Sequence, residues 1–249
     1  MLINVLRAAG FGALLALAAC SPATMLNALV PDGDYTLQAD RSYGADARQT
    51  LDVYIPTAPA SVAGPRPVVV FFYGGNWRTG QKKDYRFVGQ ALASRGFIAV
   101  VPDYRLYPQI RYPDFLRDSA AAVRWTLDNL AALGGDPARV HLMGHSAGAY
   151  NAAMLALDDG WLGPARDRIR SMVGLAGPYD FLPLTDPKLQ DMFATEPDLR
   201  RTQPIVFADA KGPPLFLLHG TADDVVEQAN SVKLAARLRA QGAQVEEKY

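Results

Sequence analysis

Residues 140–150, VHLMGHSAGAY, carry the pattern that decides the fold. The apolar run Val140–Met143 predicts a strand, and Ala147–Leu157 is compatible with a helix. Between them lies the pentapeptide GHSAG, centred on Ser146, in which glycines relieve the crowding of a sharp strand-to-helix turn. A glycine–serine turn without chemistry is the alternative, which the flanking strand and helix disfavour. The pattern predicts an exposed Ser146 hydroxyl at the tip of a sheet, beside the positive end of a helix.

Apolar runs alternate with helical patterns along the rest of the chain. Further strands are predicted at Gln49–Ile55, Pro67–Tyr73, Phe97–Val101, Ser171–Leu175 and Pro214–Leu218, and another begins at Val245–Tyr249. Helices are predicted at Tyr85–Ser94, Pro113–Leu133 and Gln228–Arg239. This alternation predicts an α/β fold with a mostly parallel, doubly wound sheet covered by helices on both faces. Ligand sites in such sheets form at the carboxyl ends of the strands.

The irregular parts of the chain suggest its domain organisation. Residues 20–45 mix polar residues with Pro and Gly and are interpreted as a tether and entry segment. One α/β domain then covers residues 46–249. Within it, residues 178–212 are rich in Pro and Asp and lack a regular period, so we expect an insertion over the sheet edge that shapes the substrate pocket.

Charge and metal-ligand patterns exclude several classes of function. The 249 residues include 25 Lys plus Arg and 25 Asp plus Glu, so no net field attracts nucleic acid. No cluster of His, Cys and carboxylate residues has the spacing of metal ligands. We therefore expect a globular protein that needs no metal or organic cofactor and binds no nucleic acid.

The N-terminus has the features of an export signal. Arg7 is the only charged residue before the apolar stretch Ala8–Ala19, which is too short to span a bilayer comfortably. The stretch ends in LAAC at Cys20, the only cysteine of the protein, and resembles the bacterial lipoprotein cleavage box. We expect residues 1–19 to be a signal peptide and Cys20 to carry a lipid that anchors the protein at the periplasmic or cell-surface face of a membrane. A plain signal peptide near a stray cysteine is the alternative.

A glycine pair follows the predicted buried strand that ends at Tyr73. The stretch from Tyr73 to Trp77 reads YGGNW. Acyl transfer needs backbone N–H groups aimed at a developing oxyanion, and glycines let the main chain approach a substrate closely. The candidate donors are the amides of Gly75, Asn76 and Ala147, although a glycine pair can also be a simple loop.

Two carboxylates, Asp223 and Asp224, follow a late buried strand in the segment HGTADDVV. A catalytic triad needs a carboxylate in such a loop to orient a histidine and to stabilise its imidazolium form. Either aspartate suits this role, and both are also compatible with a solvated loop.

These motifs together resemble the α/β-hydrolase superfamily, and more narrowly the esterase branch that includes hormone-sensitive-lipase-like carboxylesterases, kynurenine formamidases and prenylcysteine methylesterases. The branch carries His-Gly-Gly-x-Trp where this chain has YGGNW, with Tyr73 in the histidine place. Residues 103–108, DYRLYP, are similar to a segment that is usually structural in the branch. Residues 219–226 match its acid loop, and the resemblance implies that Asp223 is the acid.

The resemblance implies a serine carboxylic ester hydrolase that acts on a small or medium ester through an acyl-enzyme, with Ser146 as the nucleophile. Amide hydrolysis of the arylformamidase type uses the same machinery and stays open. A non-catalytic surface lipoprotein that keeps the fold as a binding module also stays open, because a fold does not determine a function.

The general base is the missing part of this constellation. A serine hydroxyl needs an adjacent base, and the chain offers only His141, His145 and His219, each expected to be a packing or loop histidine. In the α/β-hydrolase order the base follows the acid, and relatives place it after one more strand, which has only begun at Val245–Tyr249. We expect a truncated sequence whose continuation supplies the histidine, with a pseudoenzyme as the alternative. The 249-residue chain is therefore expected to be inactive or nearly so.

Overall fold

The computed structural model describes residues 22–31, 33–57 and 64–249, with only the backbone described for residues 22–24. The predicted signal peptide, residues 1–19, and Cys20 lie outside these ranges. Within them, every helix is too short or too polar to cross a bilayer.

The described ranges contain eight strands and seven α-helices. The strands are β1 (Tyr35–Ser42), β2 (Thr50–Pro56), β3 (Arg66–Phe72), β4 (Ile98–Pro102), β5 (Gly135–His145), β6 (Ile169–Leu175), β7 (Leu215–Leu218) and β8 (Val245–Lys248). The helices are α1 (Pro22–Ala28), α2 (Arg86–Ala93), α3 (Asp114–Leu133), α4 (Ala147–Leu157), α5 (Asp159–Leu162), α6 (Pro187–Phe193) and α7 (Ala229–Ala240). These bounds confirm most of the predicted elements to within a few residues.

The eight strands form one sheet in the order β1-β2-β4-β3-β5-β6-β7-β8. β2 pairs antiparallel with both β1 and β4, and every pair from β4 to β8 is parallel. The mostly parallel sheet predicted from the alternation of strands and helices is confirmed. The carboxyl ends of the two central strands, β3 and β5, meet at one edge of the sheet. The glycine pair follows β3 there, and the predicted strand-to-helix turn around Ser146, residues 144–148 and here called the elbow, lies at the end of β5.

The core of the protein lies around these two central strands. Residues 68–72 of β3 are buried, which explains their unbroken run of Val and Phe. Helix α4, which follows the elbow, is buried along its whole length. Its many alanines let the helix pack closely between the sheet and the neighbouring helix α3. The elbow is therefore held between a buried strand and a buried helix.

The structure corrects two of the predicted boundaries. Residues 35–42, assigned to the tether and entry segment, form strand β1 on the edge of the sheet. Only Tyr35 and Gln38 of this strand are half-buried, so it lacks the alternation that marks a strand in sequence. Strand β5 begins at Gly135, five residues before the predicted start at Val140. In the insertion, residues 178–212, the structure has α6 and two 3₁₀ turns.

Candidate active site

Ser146 sits in a strained backbone conformation between β5 and α4. Its φ is 51° and its ψ is −123°, a region that costs a non-glycine residue roughly 1–3 kcal/mol. Hydrogen bonds hold it there: its N–H donates to the Leu175 oxygen at 2.8 Å, and its own carbonyl accepts from the amides of Ala149 and Tyr150 at 2.9 and 3.1 Å. The Ser146 hydroxyl does not cap the helix, so it is available for chemistry.

Backbone packing explains the two glycines of the elbow. A Cβ added to Gly144 would lie 2.2 Å from the carbonyl oxygen of Gly148. A Cβ added to Gly148 would lie 2.1 Å from the carbonyl oxygen of Phe72. The end of β5, the start of α4 and the end of β3 therefore touch through their main chains, which leaves room for no side chain at either position.

The glycine loop after β3 lies directly over Ser146. A Cβ added to Gly74 would lie 3.0 Å from both the Ser146 Cβ and the His145 Nδ1. This position places the next two amides, those of Gly75 and Asn76, near Ser146 as candidate donors to a substrate.

The turn that follows bends the chain sharply at these two amides. Gly75 has a φ of 124° and Asn76 a φ of 53°, and the Gly75 carbonyl accepts from the amides of Arg78 and Thr79 at 2.9 and 3.1 Å. The third candidate donor, the Ala147 amide, belongs to the first turn of α4, where N–H groups lack partners within the helix. The structure thus brings the three predicted donors and Ser146 to the same edge of the sheet.

Trp77 ties this loop to the buried helix α4. Its side chain is 2 % exposed, and its Nε1 donates to Asn151 Oδ1 at 2.9 Å. Asn151 Nδ2 in turn donates to Ser119 Oγ at 3.2 Å. Asn151 was not found by sequence reasoning, because a single polar residue in an apolar helix gives no hint of a partner 74 residues away.

Tyr73 occupies the position at which the esterase branch that this chain resembles has a histidine. Its hydroxyl donates to Asp103 Oδ1 at 2.7 Å and accepts from Arg48 Nη2 at 2.9 Å. Burial raises the pKa of Tyr73 well above its ordinary value, so the phenol stays protonated. Burial also raises the pKa of Asp103, although the hydrogen bond from Tyr73 opposes that shift. Sequence reasoning missed Arg48, which lies just before β2.

The DYRLYP segment is structural, as the resemblance implied. Arg105 makes a two-pronged ion pair with Asp118 of α3, with Nε to Oδ2 at 2.9 Å and Nη2 to Oδ1 at 2.8 Å. The Asp118 side chain is 1 % exposed. This pair joins the segment after β4 to the helix that packs beside the elbow.

The acid loop, residues 219–226 after β7, contains two carboxylates, one held by hydrogen bonds and the other exposed. Asp223 Oδ1 accepts from the amides of Val225 and Val226, both at 3.0 Å. The Val226 amide is the largest cause of a lowered Asp223 pKa, and the Val225 amide acts in the same direction against the opposing effect of burial. Asp224 is exposed. The geometry therefore favours Asp223 over Asp224 as the functional carboxylate.

The three histidines of the sequence do not hydrogen-bond to Ser146 in the described structure. His141 Nδ1 lies 2.8 Å from Ser171 Oγ on the neighbouring strand. His219 is buried, with Nδ1 2.8 Å from Ser231 Oγ and Nε2 2.7 Å from the Val226 carbonyl. His145, the exposed neighbour of Ser146, makes no hydrogen bond to the Ser146 hydroxyl in the described structure. The expectation that these are packing or loop histidines agrees with these contacts.

The BD-FAE family model matches residues 51–238 of the chain. The chain belongs to the BD-FAE family. It is 31 % identical over 229 residues to a probable isoprenylcysteine α-carbonyl methylesterase of Oryza sativa subsp. japonica, covering 82 % of this chain and 53 % of that protein. It is 32 % identical to the probable carboxylic ester hydrolase LipM of Mycobacterium tuberculosis, covering 78 % and 49 %. The chain thus spans about half the length of these curated relatives.

Solved esterases share the architecture of this BD-FAE chain. Thermogutta terrifontis esterase 2, phosphonylated by sarin, superposes with a TM-score of 0.72 at 26 % identity, over 88 % of this chain and 83 % of that one. A truncated carbohydrate esterase from gut microbiota gives a TM-score of 0.72 at 21 % identity, over 87 % and 88 %, and shows the fold alone. The α/β-hydrolase fold and the esterase branch predicted from the motifs are confirmed.

A cavity of about 430 Å³ opens beside the glycine loop of the BD-FAE chain. Asn76 and Trp77 line one side, and Val225 and Val226 of the acid loop line another. The remaining wall comes from Glu227, Asn230 and Lys233 and from the insertion, which contributes Pro178, Asp180, Phe181, Leu182, Pro183, Leu184, Thr185 and Leu189. A volume of this size suits a small or medium organic group, and the insertion contributes to its shape.

Proposed function

We propose that this chain is a serine carboxylic ester hydrolase that acts through an acyl-enzyme on a small or medium ester. One observation carries the proposal: Ser146 stands on a strained elbow, and its Cβ lies directly beneath Gly74, the first residue of a glycine loop. A structural serine has no need of backbone strain, whereas strain of this kind clusters at functional sites.

The chemistry follows from the positions of these groups. Ser146 Oγ bonds to the ester carbonyl carbon as its proton passes to a general base, and the carbonyl π electron pair moves onto oxygen. The amides of Gly75, Asn76 and Ala147 are proposed to donate hydrogen bonds to that oxyanion. When the tetrahedral intermediate collapses, the C–O bond to the alcohol breaks, and the alcohol leaves with the proton that the base took from Ser146. Water then cleaves the acyl-enzyme by the same route and releases the acid.

Asp223 is proposed to be the carboxylate that orients the base and stabilises its protonated form. Its lowered pKa keeps it ionised at neutral pH, as this role requires. No residue of the chain is assigned the role of general base, because His141 and His219 are held by other partners and His145 makes no hydrogen bond to the Ser146 hydroxyl in the described structure.

The names of similar proteins support an ester as the substrate. The matched curated proteins include a methylesterase and a carboxylic ester hydrolase, both named for cleaving esters. The esterase 2 of Thermogutta terrifontis was solved phosphonylated by sarin. An organophosphorus probe is therefore a suitable reagent for the nucleophile of this chain.

Covalent labelling with a fluorophosphonate tests the proposal. Each molecule has to react with the probe only once, so even a slow nucleophile is detected after long incubation. We expect a label on wild type and on Ser94→Ala, an exposed serine of the surface, but none on Ser146→Ala. Hydrolysis of p-nitrophenyl acetate above the buffer rate is expected to follow the same order. An unlabelled wild type, or undiminished labelling of Ser146→Ala, contradicts the proposal.

We also propose that Cys20 is lipidated and holds the domain at a membrane surface, exposed to the periplasm or the cell exterior. The support is the sequence alone: a single cysteine at the end of an apolar run, preceded by small residues. Acyl chains contribute about 0.8 kcal/mol per buried methylene, so several of them anchor a soluble domain stably.

A further inference from the structure

We infer that Arg48, Tyr73 and Asp103 form a positioning unit that sets the oxyanion loop, residues 74–80, over Ser146. The inference rests on the proposed hydrolase function, because an oxyanion loop has a role only in acyl transfer. None of the three residues touches the site of the reacting atoms. They are proposed to act through the main chain of the loop.

Tyr73 immobilises the residue before the loop. Its ring is fully buried and stacks between Tyr85 and Tyr104, at centroid distances of 5.4 and 4.9 Å. Its carbonyl accepts from the Tyr104 hydroxyl at 2.8 Å, and its own hydroxyl donates to Asp103. Both the main chain and the side chain of Tyr73 are therefore held at the point where the loop begins.

Arg48 joins the two ends of the loop. Its Nη2 donates to the Tyr73 hydroxyl at 2.9 Å and to the Gly80 carbonyl at 2.9 Å, while its Nε donates to the Tyr104 carbonyl at 3.0 Å. The loop ends are close in space as well, since a Cβ added to Gly80 would lie 2.9 Å from the Gly74 oxygen. One guanidinium group thus holds the entry and the exit of the loop together.

Asp103, the residue that follows β4, is the third member of the positioning unit. Its Oδ1 accepts from the Tyr73 hydroxyl and from the Lys82 amide, both at 2.7 Å, and lies 3.6 Å from Arg48 Nη2. The Lys82 amide lies two residues beyond the loop. The same carboxylate oxygen therefore contacts groups on both sides of the loop, and the nearby Arg48 balances its charge.

The position of the loop determines the direction of its amides. Oxyanion donors act at roughly 2.7–3.1 Å from the oxygen that develops charge, so a displacement of about 1 Å lowers the rate steeply. Tyr73 occupies the position at which the esterase branch has a histidine, and its hydroxyl hydrogen-bonds to both Asp103 and Arg48. In this chain the tyrosine therefore holds the loop in place of the histidine.

Hydrogen exchange of backbone amides, measured by mass spectrometry, tests this without any turnover. The variants are Tyr73→Phe, which removes only the hydroxyl, and Arg48→Met, whose site is partly exposed and less disruptive to folding. Thr126→Val is the matched control, because it removes one buried hydroxyl bond in α3, away from the loop. We expect exchange in residues 74–80 to rise by about tenfold in both variants, with α4 unchanged and with no selective rise in the control.

The separate effects on kcat and KM give a second measurement, which a purely structural role of these residues does not change in the same way. If wild type hydrolyses p-nitrophenyl acetate, we expect both variants to lose about 10- to 100-fold in kcat with KM within about twofold, because oxyanion bonds strengthen in the transition state. A wild type that is neither active nor labelled refutes the hydrolase function, while the exchange result still decides whether the unit positions the loop. Loop exchange equal to wild type in both variants, or an equal rise in α4, overturns the inference.

Discussion

His219 Nε2 lies 3.5 Å from Asp223 Oδ2, so the histidine and the carboxylate of the acid loop face each other four residues apart in sequence. The same nitrogen lies 2.7 Å from the Val226 carbonyl, and Nδ1 lies 2.8 Å from Ser231 Oγ. Because a carbonyl only accepts, Nε2 carries a proton and donates it to the Val226 oxygen. His219 therefore holds the loop that presents Asp223 and has no free nitrogen for a nucleophile.

Replacing His219 is expected to destabilise the protein. His219→Ala removes two buried hydrogen bonds and leaves a gap, so we expect the free energy of unfolding to fall by about 2–4 kcal/mol. Asp224→Ala, at an exposed position of the same loop, is the matched control and is expected to change it by less than about 0.5 kcal/mol. Urea denaturation measures both. Equal losses in the two variants contradict a structural role for His219.

The lowered pKa of Asp223 predicts a pH-dependent contribution to stability. The folded pKa lies below the unfolded value of about 3.9, so the stabilisation is present above that value and is lost as pH falls through the folded pKa. We expect Asp223→Asn to be less stable than wild type at pH 7 and the difference to shrink at pH 3. Urea midpoints at the two pH values measure this, and a pH-independent difference shows that the charge is not responsible.

The contact between Gly148 and β3 predicts a severe effect of one methyl group. In Gly148→Ala the new Cβ meets the Phe72 oxygen at 2.1 Å, and overpacking of this kind costs about 1–3 kcal/mol or more. We also expect weaker fluorophosphonate labelling of Ser146, since the elbow has to move. Gly220→Ala is the control, because nothing lies within 4 Å of its added Cβ. Wild-type stability of Gly148→Ala is incompatible with the described packing.

Slow ester hydrolysis is expected from the 249-residue chain, because none of its histidines hydrogen-bonds to Ser146 in the described structure. Added imidazole is then expected to raise the rate of p-nitrophenyl acetate hydrolysis by serving as an external base. Ser146→Ala measured with the same imidazole corrects for direct catalysis of the ester. Fast turnover without imidazole shows that one of the three histidines is the base, and His145→Ala is the first variant to test.

The proposed lipid anchor predicts a change of location. Cys20→Ala is expected to move the protein from the membrane fraction of an expressing bacterium to the soluble fraction, because no thiol remains to carry the lipid. Fractionation followed by immunoblotting measures the distribution, with Ser94→Ala as a surface control. Unchanged membrane association of Cys20→Ala refutes lipidation at this residue.

Sequence reasoning succeeded where a local pattern carries the physical requirement. The apolar run of β3 is readable because a central strand is buried on both faces. The glycines around Ser146 are readable because a tight elbow excludes side chains at both positions. It failed at β1, since an edge strand with mostly exposed side chains has no apolar period.

The amino-acid sequence by itself determined the parallel sheet, the elbow serine and the loops that face it, because burial and tight turns restrict residue types at neighbouring positions. Only the tertiary structure decided which partners hold those loops. Arg48 reaches Tyr73 across 25 residues, and Trp77 reaches Asn151 across 74. Such hydrogen bonds depend on how distant segments pack, and a polar side chain carries no local mark of its partner. The same tertiary packing places Ser231 Oγ and the Val226 carbonyl within hydrogen-bonding distance of the two ring nitrogens of His219.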